Sequence, residues 1–185
     1  MKIQASRQLA VGSSIAWKAL NDPEVLKQCI PGCEKFELTG EQTYAVVAAV
    51  RIGPVSCRFT GRVVLSDIVI LKSYTLNFDA QGGVAGFGKG KSEVVLIDND
   101  SGCVLQYSVE SQVGGKLAQL GQRLLEGAAK SIADDFFKRF DQTLKLQAGV
   151  IDQEPTSARI ALGGGIGWVC MGLILATVAV LALVN

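Results

Sequence analysis

The sequence predicts an α+β helix-grip fold, with a curved antiparallel sheet around a long C-terminal helix, followed by a C-terminal transmembrane helix. Three observations carry this expectation. Between residues 33 and 113, apolar and polar residues alternate with period two, in runs separated by short turns. That is the pattern of an antiparallel meander. From residue 117 to residue 144 the spacing of apolar residues changes to that of a helix. From 160 to 184 no charged residue occurs, and about 20 apolar residues suffice to cross the hydrocarbon of a bilayer.

Taken in order, residues 2–11 alternate as a first strand. Gly12-Ser13-Ser14 offers an N-cap to a short helix over 15–20. Asp22 then caps a second helix with Pro23 at its first position, and Pro31-Gly32 ends it. Strands follow at 43–52, 55–66, 74–79, 94–97 and 104–113. Gly53-Pro54 joins the first two of these, and Asp98–Gly102 joins the last two. With the signals after Cys33, these make a six-stranded meander. The long helix shows Leu117, Leu120, Leu124, Ala128, Ile132, Phe136, Phe140 and Leu144 as its apolar stripe, with Gly121 and Gly127 inside it. Opposite run Glu126/Lys130, Asp134/Lys138 and Asp141/Lys145, each acid four residues before its base, the favourable order on a helix surface.

The chain therefore divides into a globular domain over 1–147, a linker over 148–159 and an anchor over 160–184. About 150 residues suit one domain with a single core. The anchor residues that carry the span include Ile166, Trp168, Leu173, Leu175, Val180 and Leu183. Arg159 and Lys145 precede it and nothing basic follows, so the positive-inside bias puts the domain in the cytoplasm. The opening Met1-Lys-Ile-Gln-Ala-Ser-Arg is too polar for a signal peptide. Within the tail, Gly163-x-x-x-Gly167 has the small-residue spacing of paired membrane helices and would support a homodimer. The Gly163–Gly165 cluster suits a flexible joint equally well.

Composition narrows the function classes. The net charge is +1, from 18 basic and 17 acidic residues, and so gives no footprint for nucleic acid. There is no histidine, which removes the commonest general base and metal ligand. Five cysteines, an odd number, fit reduced thiols in the cytosol. Cys29-x-x-x-Cys33 reads as structural thiols, because a zinc site needs four ligands. Gly86–Ser92 falls short of a phosphate loop: Ala85 stands where the first glycine belongs, and a strand follows where a helix is required. Asp98–Gly102 lacks the distant glutamate of a calcium loop. Three phenols, Tyr44, Tyr74 and Tyr107, are the remaining candidates for acid chemistry. No metal and no catalytic residue is expected.

Two blocks give a more specific indication. Asp22-Pro-Glu-Val-Leu-Lys-Gln-Cys-Ile-Pro-Gly-Cys-Glu34, with Gly53-Pro54 and Phe59-Thr-Gly61, resembles the CoxG family, the G subunits of carbon monoxide dehydrogenase. So does Gly114-Gly-Lys-Leu-Ala-Gln-Leu-Gly121-Gln-Arg-Leu-Leu125 with Phe136-Phe137. That family belongs to the START-like, polyketide-cyclase-like superfamily, and the likeness spans about 1–147. It implies an accessory protein that attaches a molybdenum hydroxylase, of the carbon monoxide dehydrogenase type, to the cytoplasmic membrane. For some relatives it also implies a lipid quinone, menaquinone or ubiquinone, in the grip cavity. By strand alternation and the helix stripe, that cavity is expected to be lined by Leu26, Ile30, Phe59, Tyr74, Leu76, Phe78, Phe87, Leu120, Leu124 and Ala128. The hydroxylase is expected on the exposed side or at the glycine-rich 82–90 loop. An adaptor without ligand, or a cyclase or hydrolase of the same superfamily, are the alternatives.

Overall fold

The computed structural model describes residues 2–151, with side chains to residue 147. Seven strands form one antiparallel sheet in the order β1-β7-β6-β5-β4-β3-β2. Strand β1 (Lys2–Leu9) is followed by α1 (Ser13–Leu20) and α2 (Pro23–Cys29). The meander is β2 (Cys33–Gly40), β3 (Thr43–Ile52), β4 (Val55–Val69), β5 (Ser73–Gln81), β6 (Phe87–Asn99) and β7 (Gly102–Gly114). A 30-residue helix, α3 (Gln122–Ile151), closes the domain. Single 3-10 turns lie at Gly83–Ala85 and Ala118–Leu120.

The core forms where the inward faces of the strands meet the helices. On β5, Tyr74, Leu76, Phe78 and Ala80 are buried while their neighbours face outward. Partners across the sheet share that face: Tyr74 lies opposite Val94, which lies opposite Tyr107. Helix α1 lays Trp17 edge-on against Tyr74, with 6.2 Å between ring centroids. Helix α2 starts as expected, with the Asp22 carboxylate accepting from the N–H groups of Glu24 at 2.9 Å and Val25 at 3.4 Å.

The start of α1 is held from a distance. Its N-cap is Gly12, which offers no side chain. The Asp98 carboxylate, from the end of β6, accepts from the Ser13 N–H and hydroxyl, each at 2.7 Å. These bonds, the hydroxyl first, pull the Asp98 carboxyl below the usual carboxylate range. A depressed pKa stabilises the fold above the unfolded value, and that contribution is lost as pH falls through the folded one. Asp98→Ala should therefore be less stable at neutral pH, with the gap to the parent closing in acid. Melting curves across pH would show it, and a gap that widened in acid would refute it.

The stripe of α3 differs from the sequence expectation. Phe136, Phe140 and Leu144 are buried as expected. In the first half the buried residues are Leu125, Ala129 and Ala133, whereas Leu124 is 43% exposed and Ala128 and Ile132 are only partly buried. The reason is the pitch. A step of four residues overshoots a helical turn by about 40°, so five steps from Leu124 to Leu144 accumulate about 200°. Apolar residues spaced strictly by four cannot stay on one face. The buried set mixes steps of three and four and stays on one.

Helix and strand bounds also shift around Gly121. This residue has φ +82° and precedes α3 instead of lying inside it. The left-handed backbone there separates the 3-10 turn from the helix. Strand β6 begins seven residues earlier than its apolar run implied, because Phe87–Lys91 pairs fully with β5 and β7 despite its glycines. Among the described residues no helix is long and apolar enough to cross a membrane. The anchor expected over 160–184, and most of the linker before it, lie outside the described residues.

Candidate ligand site

Of the ten residues expected to line a cavity, six point into the core: Leu26, Ile30, Phe59, Tyr74, Leu76 and Phe78. They come from α2, β4 and β5 and share the side of the sheet that faces the helices. Leu120 and Ala128 are partly buried. Phe87 and Leu124 are exposed and sit at the end of the domain where α3 begins. The helix wall of the interior is instead made by Leu125, Ala129, Ala133 and Phe136.

A groove of about 440 Å³ opens at the seam between edge strand β1 and α3. Ile3, Tyr107, Ala129 and Ala133 give it apolar walls, and Lys2, Glu126 and Lys130 stand at its rim. Its volume falls in the ~300–1,000 Å³ range of small-molecule sites. The two alanines matter here, because their short side chains leave the helix and the strand apart. Further along the same seam the gap is closed. Arg7 pairs with Asp134 and stacks on the Phe137 ring at 5.3 Å, while Phe137 packs on Tyr107. No local sequence pattern marks this groove, since β1 and α3 are more than 100 residues apart.

The most unusual polar atom of the interior is the Tyr74 hydroxyl. Tyr74 is 2% exposed and its hydroxyl meets no hydrogen-bond partner among the described residues. Burial pushes its pKa upward, so it stays a neutral donor. A buried hydroxyl without a partner costs roughly 1–3 kcal/mol. It is suited to a carbonyl oxygen.

The four described thiols do not form a centre. Burial raises the pKa of Cys29, Cys33 and Cys57, and takes Cys103 to about 11 with help from Asp98. Protonated thiols are poor nucleophiles and poor metal ligands. Among the described residues no group of three or more Cys, Asp or Glu is placed to hold a metal ion. A second groove, about 870 Å³, lies on the outer face of the sheet. Arg62, Asn77, Asp79, Lys89 and Gln112 line it.

This arrangement of a seven-stranded sheet around a long C-terminal helix, with two short helices after β1, defines a START-like helix-grip protein. An aromatase/cyclase from a Streptomyces species shares the fold, with TM-score 0.57, 14% identity, and 80% of this chain matched to 95% of that one. A Thermus thermophilus protein does so at TM-score 0.60 and 12% identity, with 80% of this chain matched to 99% of that one. A conserved protein of Geobacillus kaustophilus is more similar, with TM-score 0.76 and 32% identity. There, 80% of this chain accounts for 97% of the other, so the fold is complete in about four-fifths of the present sequence. No curated protein matches in sequence. The model of the CoxG family, the G subunits of carbon monoxide dehydrogenase, matches residues 6–145. The chain belongs to that family.

Proposed function

We propose that this protein is a membrane-anchored accessory protein. It recruits a molybdenum hydroxylase of the carbon monoxide dehydrogenase type to the cytoplasmic membrane and shelters a lipid quinone between sheet and helix. The observation that carries the reading is the family match over residues 6–145. The uncharged segment 160–184 supports the anchor, as a single pass with the domain in the cytoplasm. The chain performs no redox step in this reading, since oxidation and reduction belong to the hydroxylase and the quinone.

The ligand part rests on chemistry that the interior offers. A quinone combines carbonyl oxygens with a long apolar tail. Tyr74 supplies a buried donor without a partner among the described residues. Leu76, Phe78, Phe59, Leu26 and Ile30 supply apolar wall around the same interior. In this reading the tail leaves along the seam groove, whose walls include Tyr107, Ala129 and Ala133. Each buried methylene of the tail gains about 0.8 kcal/mol, so no ion pair is needed.

The test is extraction and mass spectrometry of the protein purified in mild detergent, which should yield menaquinone or ubiquinone at near-stoichiometric amount. Two variants locate it. Tyr74→Phe should melt higher than the parent once ligand is removed, by roughly 1–3 kcal/mol, yet bind added quinone more weakly. Ala133→Trp should fill the seam and lower retention while the domain still folds. A quinone-free preparation would reduce the protein to a recruitment adaptor. Unchanged retention in both variants would place the ligand elsewhere.

A further inference from the structure

Three loop segments meet at the end of the domain where α3 begins. They are the β3–β4 turn, the β5–β6 connection and the β7–α3 connection. The Leu117 N–H donates to the Ala85 carbonyl at 3.0 Å. Gly86 lies so close to Gly114 that a side-chain carbon on it would fall 1.9 Å from the Gly114 oxygen. The Leu124 side chain reaches over Gly53, where an added carbon would come within 3.2 Å of it.

Two properties coincide at this end. The first is apolar exposure. Val84 stands on the 3-10 turn with 86% of its surface free, and Phe87 and Leu124 are 41% and 43% exposed. The Val84 turn is not slack. The Ala85 N–H bonds the Gly82 oxygen at 3.1 Å, and the Gly82 N–H bonds the Gly86 oxygen at 2.7 Å. The second is an excess of basic charge. Residues 50–57, 80–90 and 111–125 contain Arg51, Lys89, Lys116 and Arg123, and no Asp or Glu. All four are exposed, and none forms an ion pair among the described residues. In a chain of net charge +1, an apolar tip with a mainly basic surround is a local departure from the rest of the surface. Asp79, opposite Lys89, and Glu126, near the start of α3, border it. The other exposed apolar tip, Val69-Ile70-Leu71 at the β4–β5 turn, has no such excess, since Asp67 and Lys72 flank it and balance.

We propose that this loop end docks on an anionic lipid bilayer. Val84, Phe87 and Leu124 enter the boundary between headgroups and acyl chains, while Arg51, Lys116 and Arg123 meet the lipid phosphates. Apolar side chains and basic residues presented together are what an interfacial contact requires. Each basic residue near an anionic surface strengthens binding about fivefold. The contact depends neither on the C-terminal segment nor on a bound quinone. It turns the loops toward the membrane with α3 inclined along the surface, because a 30-residue helix is about 45 Å long and the segment up to residue 160 reaches at most ~30 Å. It leaves the outer face of the sheet for the hydroxylase, in place of the 82–90 loop.

The experiment uses the chain cut after Gln153, which retains the complete fold seen in the Geobacillus relative. It is spun down with vesicles of phosphatidylcholine, with and without phosphatidylglycerol. Binding should require phosphatidylglycerol and fade as salt shortens the reach of charge. Val84→Glu should lower the affinity at least tenfold, and Lys116→Glu with Arg123→Glu by about the same or more. Ile70→Glu, on the other apolar tip, should bind as the parent does. All these positions are exposed, and thermal melts of each variant confirm folding. Absence of binding to either vesicle overturns the proposal. So does unchanged binding by Val84→Glu, or a loss confined to Ile70→Glu. Capture of a protein through Val84 by a domain with no vesicle affinity would make this end a protein interface and overturn it equally.

Discussion

Cutting the chain after Gln153 should move the protein from the membrane pellet to the soluble fraction with its fold intact. The full chain should stay in membranes washed with carbonate, because a span of about 20 apolar residues resists extraction. The cut form should leave in that wash, since a contact made by loops and surface charge is peripheral and yields to salt and alkali. The domain loses little by the cut. Its last described core side chain is Leu144, and the buried residues between Leu9 and Leu144 form one continuous cluster. An unchanged melting temperature for the cut form is part of the expectation. Retention of the cut form after carbonate would mean that the tail is not the main anchor. A full chain found only in the soluble fraction would end the membrane reading altogether.

The largest effect on stability is expected at Phe136. Its ring is fully buried, stacks on Phe140 at 5.5 Å and meets Phe137 edge-on at 5.3 Å. Phe136→Ala removes the centre of that cluster and should cost about 3–5 kcal/mol. Leu124→Ala should cost under about 1 kcal/mol, because that side chain is already 43% exposed. Urea unfolding of the two variants would give the comparison. The reverse ranking would put Leu124 on the buried face and undo the account of the helix stripe.

The same pair of residues shows how far sequence alone reaches. Most strands were legible because alternation needs only a period of two, and a run such as Tyr74, Leu76, Phe78 has nowhere else to point, whereas the glycine-rich start of β6 carries no such run. The Asp22-Pro23 start was legible because its cap is local. The stripe of α3 was half legible. Leucines and alanines occur on both sides of its first turns, so spacing alone favoured Leu124 and Ala128 over Leu125 and Ala129, and only contact with the sheet decides between them. Interactions across the chain were beyond reach for a different reason. Asp98 capping α1, Arg7 bridging to Asp134 and the seam groove each join residues whose nearness follows from the finished fold. The orphaned Tyr74 hydroxyl belongs with these. A tyrosine in an alternating strand announces an aromatic wall, and its unmet donor becomes apparent only when every neighbour is in place.

The pairing of β1 with β7 sets an order of events in the making of the domain. Lys2 lies beside Glu110 and Leu9 beside Cys103. The strands from β2 to β7 can each add to the one before, through a short turn. Strand β1 leaves the ribosome before all of them, has no such neighbour and must wait for β7. Closing so long a loop is costly and comes late, and folds rich in such contacts are slow. Until β7 is complete, a growing chain carries β1 and the newest meander strand as open edges. Such edges are prone to pair with other chains. The docking of β1 onto β7 is then a late step of assembly, and the nascent sheet is most vulnerable to aggregation just before it.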